Sequence, residues 1–121
     1  MASTEQIESA ARDLGKLVAE HESAKALTAA TEALDKDIDT QRLMTDFNRL
    51  IQTLSEKQAS GQAIEVSDKR QLEDLQSQIA MNLAVRQLQK AQVDYMDLMR
   101  KVVSEIEQQA TPTDQVTPPG P

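Results

Sequence analysis

The chain has 121 residues, the length of one domain, and a net charge of −7 from 20 acidic and 13 basic side chains. It contains no Cys, no Trp and a single His, which excludes disulfides and cysteine-ligated zinc or iron–sulfur sites. No stretch approaches the ~20 apolar residues of a membrane span, and the first residues lack a signal-peptide pattern. We therefore expect a cytoplasmic protein without membrane insertion.

The acidic balance argues against direct nucleic-acid binding, because a negative field repels the phosphate backbone. The basic side chains of the second half of the chain have acidic neighbours in the sequence. Neither of the two aromatic residues, Phe47 and Tyr95, lies among them in a stacking pattern. We expect no direct contact with nucleic acid.

Apolar residues recur at three- and four-residue steps throughout, which predicts helices and no strands. Ser3 and Gln6 form a capping-box pattern at the start of a first helix that runs to about Glu20. Gly15 interrupts this helix at a cost of ~1 kcal/mol relative to Ala, and we expect it to allow the close approach of a neighbouring helix. A short alanine-rich helix then begins around His21–Ser23, and its small side chains predict tight packing against something larger.

A third helix starts in the acidic segment Asp35–Asp39, where several residues can act as the N-cap. It ends near Gly61, a natural residue at a helix C-terminus, and about 20 residues at 1.5 Å each make it roughly 30 Å long. Its apolar stripe consists of Leu43, Phe47, Leu50 and Leu54, widened by Met44 and Ile51.

A short connection, 62–66, leads to a fourth helix for which Ser67 is the predicted cap. The apolar spacing changes phase at 81–83, and a coiled-coil-like seam then steps by alternating three and four residues over three heptads. The seam consists of Val85, Leu88, Gln92, Tyr95, Met99, Val102 and Ile106. From Ala110 onward the chain holds all four prolines and no apolar periodicity. This predicts a single helical domain, 1–109, and a flexible Pro-rich tail, 110–121.

One series of aspartates has the spacing of a metal site. Asp35, Asp37, Asp39 and Asp46 supply carboxylates at the first, third, fifth and twelfth positions of an EF-hand calcium loop. Thr40 occupies the position where the sharp turn of such a loop needs Gly, so an acidic helix start is the preferred interpretation. A calcium-responsive switch is the alternative.

No residue pattern indicates catalysis. The single histidine, His21, has no metal or triad partner at a defined spacing, and we interpret it as a solvated residue at a helix end. Neither Gly-rich phosphate motif occurs. We expect a protein that is not an enzyme and that has no catalytic residue, cofactor or metal ligand. The internal methionines either fill the core or line a partner groove; they are Met44, Met81, Met96 and Met99.

Three segments resemble the YlbF/YmcA family of small helical bacterial regulators. They read ARDLGKLVAE, LMTDFNRLIQTLSEKQASG and NLAVRQLQKAQVDYMDLMRKVVSEI, and together they span roughly residues 5–108. Phe–x–x–Leu followed by Gln and Gly is the most distinctive feature. The positions that carry the resemblance are Leu14, Leu43, Phe47, Leu50, Gln58, Gly61, Asn82, Val85, Leu88, Ala91, Tyr95 and Leu98.

The resemblance implies an all-α bundle that associates as a dimer or higher oligomer and acts as a non-catalytic regulatory subunit or adaptor. In the family's best-known setting, such proteins support competence, sporulation and biofilm formation in a complex linked to a ribonuclease. Family members often have Pro after the asparagine of the phase change. Here Leu83 follows Asn82, so we expect the last two helices to form one bent helix. Some relatives hold iron–sulfur clusters through cysteines, a function that does not carry over to this chain.

The composition itself also favours an interaction role, since two aromatics and many alanines make a thin core for about 107 ordered residues. We predict an antiparallel helical bundle that forms a homodimer by burying the stripes of the third and last helices together, with the first helices packed across it. A further protein partner of unknown identity is expected. The alternative is a holdase-like or scaffolding protein that binds apolar client segments. The predicted core and interface residues are Leu43, Phe47, Leu50, Leu54, Val85, Leu88, Tyr95, Met99, Val102 and Ile106.

Overall fold

The computed structural model describes residues 1–111, which form five α-helices and no strand. In chain order the helices are α1 (Thr4–Glu20), α2 (Glu22–Lys36), α3 (Ile38–Ala59), α4 (Val66–Met81) and α5 (Leu83–Ala110). The predicted all-α fold class is confirmed. Ala110, the first residue of the predicted tail, is the last residue of α5. The remainder of that tail, 112–121, lies outside the described residues.

The first two helices are separated by a single residue. α1 begins at the predicted capping box, in which Ser3 Oγ accepts from the Gln6 backbone N–H at 3.1 Å and Gln6 Oε1 accepts from the Ser3 N–H at 2.8 Å. His21 has an extended backbone and ends α1, and its Nδ1 accepts from the Ser23 N–H at 3.0 Å. The exposed His21 thus lies at a helix end, as expected, and it also caps α2.

Helices α2–α5 pack as two antiparallel, hairpin-like pairs. α2 packs along α5, and α3 packs along α4. The apolar residues that are fully buried in the described chain are few, namely Leu50 in α3 and Val85 and Ala91 in α5. The other residues of the helix–helix contacts are half-buried, so each hairpin has a narrow core of its own.

The two hairpins meet at a pair of single-residue helix breaks, Asp37 and Asn82. The Asn82 side-chain amide donates to Thr40 Oγ1 at 2.8 Å, and its Oδ1 accepts from the Val85 N–H at 3.0 Å. Asp37 Oδ1 accepts from the Thr40 N–H at 3.0 Å, and Thr40 is 1% exposed. Because Asn82 has extended φ and ψ of −70° and 125° and caps α5, the expectation of one bent helix is wrong.

The connection between α3 and α4 contains the glycine that the sequence predicts at a helix end. Gly61 has a φ of +76°, in the left-handed region that favours glycine. The prediction that Ser67 caps α4 is wrong, since the N-cap is Glu65. The Glu65 N–H donates to Asp68 Oδ2 at 3.0 Å, and Lys57 of α3 donates to the same oxygen at 2.7 Å. This ion pair fixes the start of α4 against the end of α3, which places the cap two residues earlier.

The chain exposes more surface than a compact protein of its mass. Its accessible surface is 9821 Å², whereas a compact monomer of 13.4 kDa exposes roughly 6,500 Å². Residues 112–121, even if counted as fully exposed, would account for about 1,500 Å². An excess of about 2,000 Å² belongs to the five helices. The helices therefore form an elongated molecule, and several large apolar side chains, such as Ile7, Leu17 and Met96, are exposed.

Candidate protein-interaction surface

The structure divides the ten predicted core and interface residues between the two hairpins. Leu50 and Val85 are buried, Ile106 is exposed, and the other seven are half-buried. The α3 stripe packs on α4, whose half-buried apolar residues are Leu72, Leu75 and Ile79. The α5 stripe packs on α2. Within one chain the two stripes are therefore covered by different helices, and their contact with a second chain stays a prediction.

α1 has a continuous apolar face but no buried residue. Leu14 and Val18 are half-buried, while Ile7 is 62% and Leu17 is 65% exposed. An amphipathic helix gains most of its stability by packing its apolar face against another element. The chain itself supplies only a small part of that contact for α1, which leaves this face available to another protein.

The uncovered face of α1 continues onto the last turns of α5. A groove between the two helices is lined by Leu14, Lys101, Val102, Glu105 and Ile106. Ile7 and Leu17 lie on the same face of α1 as Leu14, because they are seven and three residues away from it. We call Ile7, Leu17 and Ile106, which are all at least half exposed, the α1–α5 surface.

A second apolar feature lies on α5 alone. A shallow groove there is lined by Met96, Met99, Arg100, Val103, Ser104 and Glu107. We call Met96, Met99 and Val103 the α5 ridge. Met96 is 68% exposed, and Met81 at the end of α4 is more exposed still, so neither fills the core. Of the two roles that the sequence leaves open for the methionines, partner contact fits these two.

An open cleft of about 620 Å³ lies at the bend between α1 and α2. We call it the elbow cleft and define it by five of its lining residues, Gly15, Ala19, Ala24, Thr28 and Tyr95. A Cβ atom at Gly15 would meet no atom within 4 Å. The expected close approach of a helix at Gly15 is thus not made by any of the five described helices.

The aspartate series lies where α2 ends and α3 begins. Asp37 caps α3, and its hydrogen bond from the Thr40 backbone lowers the pKa of its carboxyl. Asp39 lies in the first turn of α3, where it complements the helix dipole. Across residues 1–111, no three His, Cys, Asp or Glu side chains are grouped so that they could hold a metal ion. Over the same range, no helix combines the length and the apolar character that a bilayer crossing requires.

Sequence reasoning missed the polar residues that set the shape of this surface. His21 forms the bend between α1 and α2, and the helix-start signal at His21–Ser23 located the break but not the histidine's role as a cap. The sequence places Asn82 at a change of phase and among the positions that carry the family resemblance, but it does not predict that Asn82 caps α5. Thr40 gave no signal, because a single threonine among polar residues does not reveal that it will be buried.

A known family model matches nearly all of the described residues. The model of a family described as "Control of competence regulator ComK, YlbF/YmcA" matches residues 7–110, a range that includes most of α1 and all of α2–α5. The chain belongs to the YlbF/YmcA family. The resemblance noted in the sequence is thereby confirmed. No curated protein sequence matches this YlbF/YmcA chain significantly.

A solved structure shares the fold of this family member. The crystal structure of Bacillus subtilis RicA in complex with RicF contains a chain that superposes with a TM-score of 0.75 at 17% sequence identity. The match covers 86% of the YlbF/YmcA chain and 92% of the other chain. At this identity the likeness concerns the arrangement of helices.

Proposed function

We propose that this YlbF/YmcA chain is a non-catalytic regulatory adaptor that acts by protein–protein contact through exposed helical faces. The observation that carries the proposal is α1, an amphipathic helix that has no buried residue and lies beside a partly uncovered α5. The regulatory description of the family and the complex between RicA and RicF support a partner-binding role.

The nature and extent of the uncovered surface favour protein as its ligand. Single exposed apolar residues are common on soluble proteins, but contiguous apolar patches mark interaction sites. The excess exposure of about 2,000 Å² is larger than the ~800 Å² that each partner contributes to a standard interface. One chain therefore has room for more than one protein contact.

We propose a setting for this adaptor that follows the family. It would be a cytoplasmic subunit of an assembly that controls competence-type development, with the link to a ribonuclease that the resemblance implies. Self-association and binding of a different protein are both part of the proposal. Leu17 and Ile7 of the α1–α5 surface are the side chains that we assign to contact with that different protein.

The test is affinity capture of the full chain from its native cell, followed by mass spectrometry. We expect one or two defined proteins to co-purify with the wild type and to be lost from Leu17→Asp, because a buried carboxylate at this contact is unfavourable. Val66→Asp is the matched control, since Val66 is 67% exposed in the first turn of α4, far from α1. Unchanged capture by Leu17→Asp would contradict the assignment of this face.

The second candidate is a holdase-like protein, which the exposed methionine of the α5 ridge favours because methionine side chains adapt to varied partners. A holdase would capture many unrelated proteins in the same experiment. It would also suppress the aggregation of a chemically reduced test protein at equimolar ratio. We expect the adaptor to do neither.

A further inference from the structure

His21 separates α1 from α2, and its ring takes part in the break. Its backbone is extended, with φ of −69° and ψ of 145°, and its Nδ1 accepts from the Ser23 N–H at 3.0 Å. Its backbone carbonyl accepts from the Ala24 and Lys25 N–H groups, both at 3.1 Å. The N–H of Ser23 is therefore bonded to the imidazole, whereas the next two N–H groups are bonded to the backbone.

Nothing else in the local sequence requires a break at this point. The chain contains neither Pro nor Gly from Leu17 to Lys25, and these are the residues that most strongly disfavour a helix. In a continuous helix, the Ser23 N–H would donate to the Ala19 carbonyl four residues earlier. α1 has no buried residue, so little packing within the described chain opposes its reorientation. The His21 side chain is thus the local group that stabilises the bend.

The break determines the direction in which the apolar face of α1 points. Leu14 and Val18 are half-buried, Leu14 in the groove beside α5 and Val18 in the elbow cleft with Tyr95. Leu27 of α2 is half-buried at the same cleft, and α2 packs along α5. Val18 and Leu27 are nine residues apart, about two and a half turns of an uninterrupted helix, so they would point in opposite directions. Both approach α5 because the helix breaks between them.

Charged groups from three helices surround the His21 ring. They are Glu20 of α1, Glu22 of α2, and Asp94, Asp97 and Lys101 of α5. The carboxylates of Asp94 and Asp97 pair with lysines of their own helix, at 3.0 and 3.1 Å. Aspartate, glutamate and lysine side chains ordinarily keep their charge between about pH 5 and 8, whereas histidine changes its charge in that interval. The ring is therefore the group of this cluster that responds to pH.

Protonation of the ring is incompatible with the cap. Because Nδ1 is an acceptor, the hydrogen of the neutral ring is on Nε2, and a second proton binds Nδ1. A protonated Nδ1 is a donor and cannot accept from the Ser23 N–H. A continuous helix would restore a partner to this N–H, since the Ala19 carbonyl would then accept from it.

We propose that His21 is a pH-sensitive hinge. In its neutral form it caps α2 and keeps the apolar face of α1 turned towards α5; in its protonated form it favours a continuous α1–α2 helix. In the continuous helix that face turns away from α5 and presents Leu14 and Val18 together with the exposed Leu17. Loss of one cap shifts such an equilibrium roughly fivefold. The inference rests on the proposed function only for the role of the face that the hinge turns.

The distance between α1 and α5 tests the hinge. Because the chain contains no Cys, Ser9→Cys on α1 and Gln108→Cys on α5 place two spin labels at exposed sites. Double electron–electron resonance measures their separation at about pH 7.5 and about pH 5.5. An excess of unlabelled chain restricts the measurement to distances within one chain, and circular dichroism verifies that the labelled chain is folded.

We expect a second distance population to grow roughly fivefold, relative to the first, at the lower pH. The two distances should differ by about 10 Å, the width of a helix, because the face of α1 turns by about half a turn. A distance distribution that is the same at both pH values would overturn the proposal.

Two variants of the labelled chain assign the response to the ring. His21→Asn keeps a capping side chain that does not titrate, so it should retain the neutral-pH distance at both pH values. His21→Ala removes the cap and favours helix, so it should show the second population at both. A pH response in His21→Asn would assign the effect to another group, such as the amino terminus. An unchanged single distance in His21→Ala would show that the ring does not hold the break.

The hinge and the proposed function can fail separately. The label distances are measured on the purified chain without a partner, so a rigid bend leaves the capture experiment with Leu17→Asp unaffected. Conversely, unchanged capture by Leu17→Asp contradicts the assignment of the α1 face, whether or not the label distances respond to pH.

Discussion

Single residues at helix breaks determine how the helices of this YlbF/YmcA chain are arranged. His21, Asp37 and Asn82 each interrupt the helical backbone for one residue, and each caps the following helix with its side chain. Because a capping side chain satisfies backbone N–H groups that the helix leaves free, these breaks fix directions as well as ends. The bend at His21 creates the elbow cleft, and Asn82 joins the two hairpins through Thr40.

The first prediction concerns Asn82. Asn82→Ala removes the cap of α5 and leaves the buried Thr40 hydroxyl without its donor, so we expect the free energy of unfolding to fall by about 2 kcal/mol. Urea denaturation followed by circular dichroism measures this change. Asn48→Ala, at an exposed position within α3, is the control and should have no destabilising effect. Equal stability of the two variants would contradict the role of Asn82 at the junction.

The second prediction concerns pH. The hydrogen bond from Lys57 lowers the pKa of the Asp68 carboxyl in the folded chain. A lowered pKa stabilises the fold above the unfolded value of about 3.9, and this contribution is lost as the pH falls through the folded value. The urea midpoint of the wild type should therefore drop below about pH 4. That of Asp68→Asn should be lower at neutral pH and should drop less. Identical pH profiles for the two proteins would refute the contribution of this pair.

At the scale of the elements, the two hairpins differ from α1 in how they are stabilised. Each hairpin has a buried residue at its centre, Leu50 in one and Ala91 in the other, surrounded by half-buried neighbours. α1 has none, and it shares lining residues with α5 at the groove around Leu14 and at the elbow cleft. The hairpins are therefore stabilised by contacts within the chain, whereas the apolar face of α1 stays largely uncovered.

The third prediction compares apolar truncations on these elements. Leu50→Ala should lower the free energy of unfolding by about 2–3 kcal/mol, because it leaves a cavity between α3 and α4. Leu17→Ala should change it by less than about 0.5 kcal/mol, since the side chain is largely in water. Chemical denaturation of both variants provides the comparison. A large loss in Leu17→Ala would mean that α1 packs within the chain.

The sequence predicts where each helix lies in the chain better than it predicts which helices pack together. Apolar periodicity and the capping residues located all five helices, with Ser67 and the junction at Asn82 misjudged. The pairing could not be predicted, because the stripe that contains Phe47 and the one that contains Tyr95 fit each other as well as they fit the helices that cover them. The close approach expected at Gly15 is not made within the described residues, where a Cβ atom at that position would meet no atom within 4 Å. Apolar periodicity does not predict side-chain caps such as His21, because a cap depends on three-dimensional geometry.

At the scale of the whole molecule, the large exposed surface supports the proposed role in protein–protein contact. The five helices expose about 2,000 Å² more than a compact protein of this mass would. This excess includes the α1–α5 surface, the α5 ridge and the elbow cleft. The central claim is that protein contact covers these surfaces, through self-association and through a regulatory partner on α1.

Amide hydrogen exchange of the purified chain, measured at high and at low protein concentration, tests that claim most directly. We predict that α1 and residues 96–106 of α5 exchange slowly at high concentration and markedly faster on dilution, because their protection comes from a second chain. Exchange in α3 and α4 should not depend on concentration. Exchange rates in α1 and α5 that are the same at both concentrations would contradict the claim.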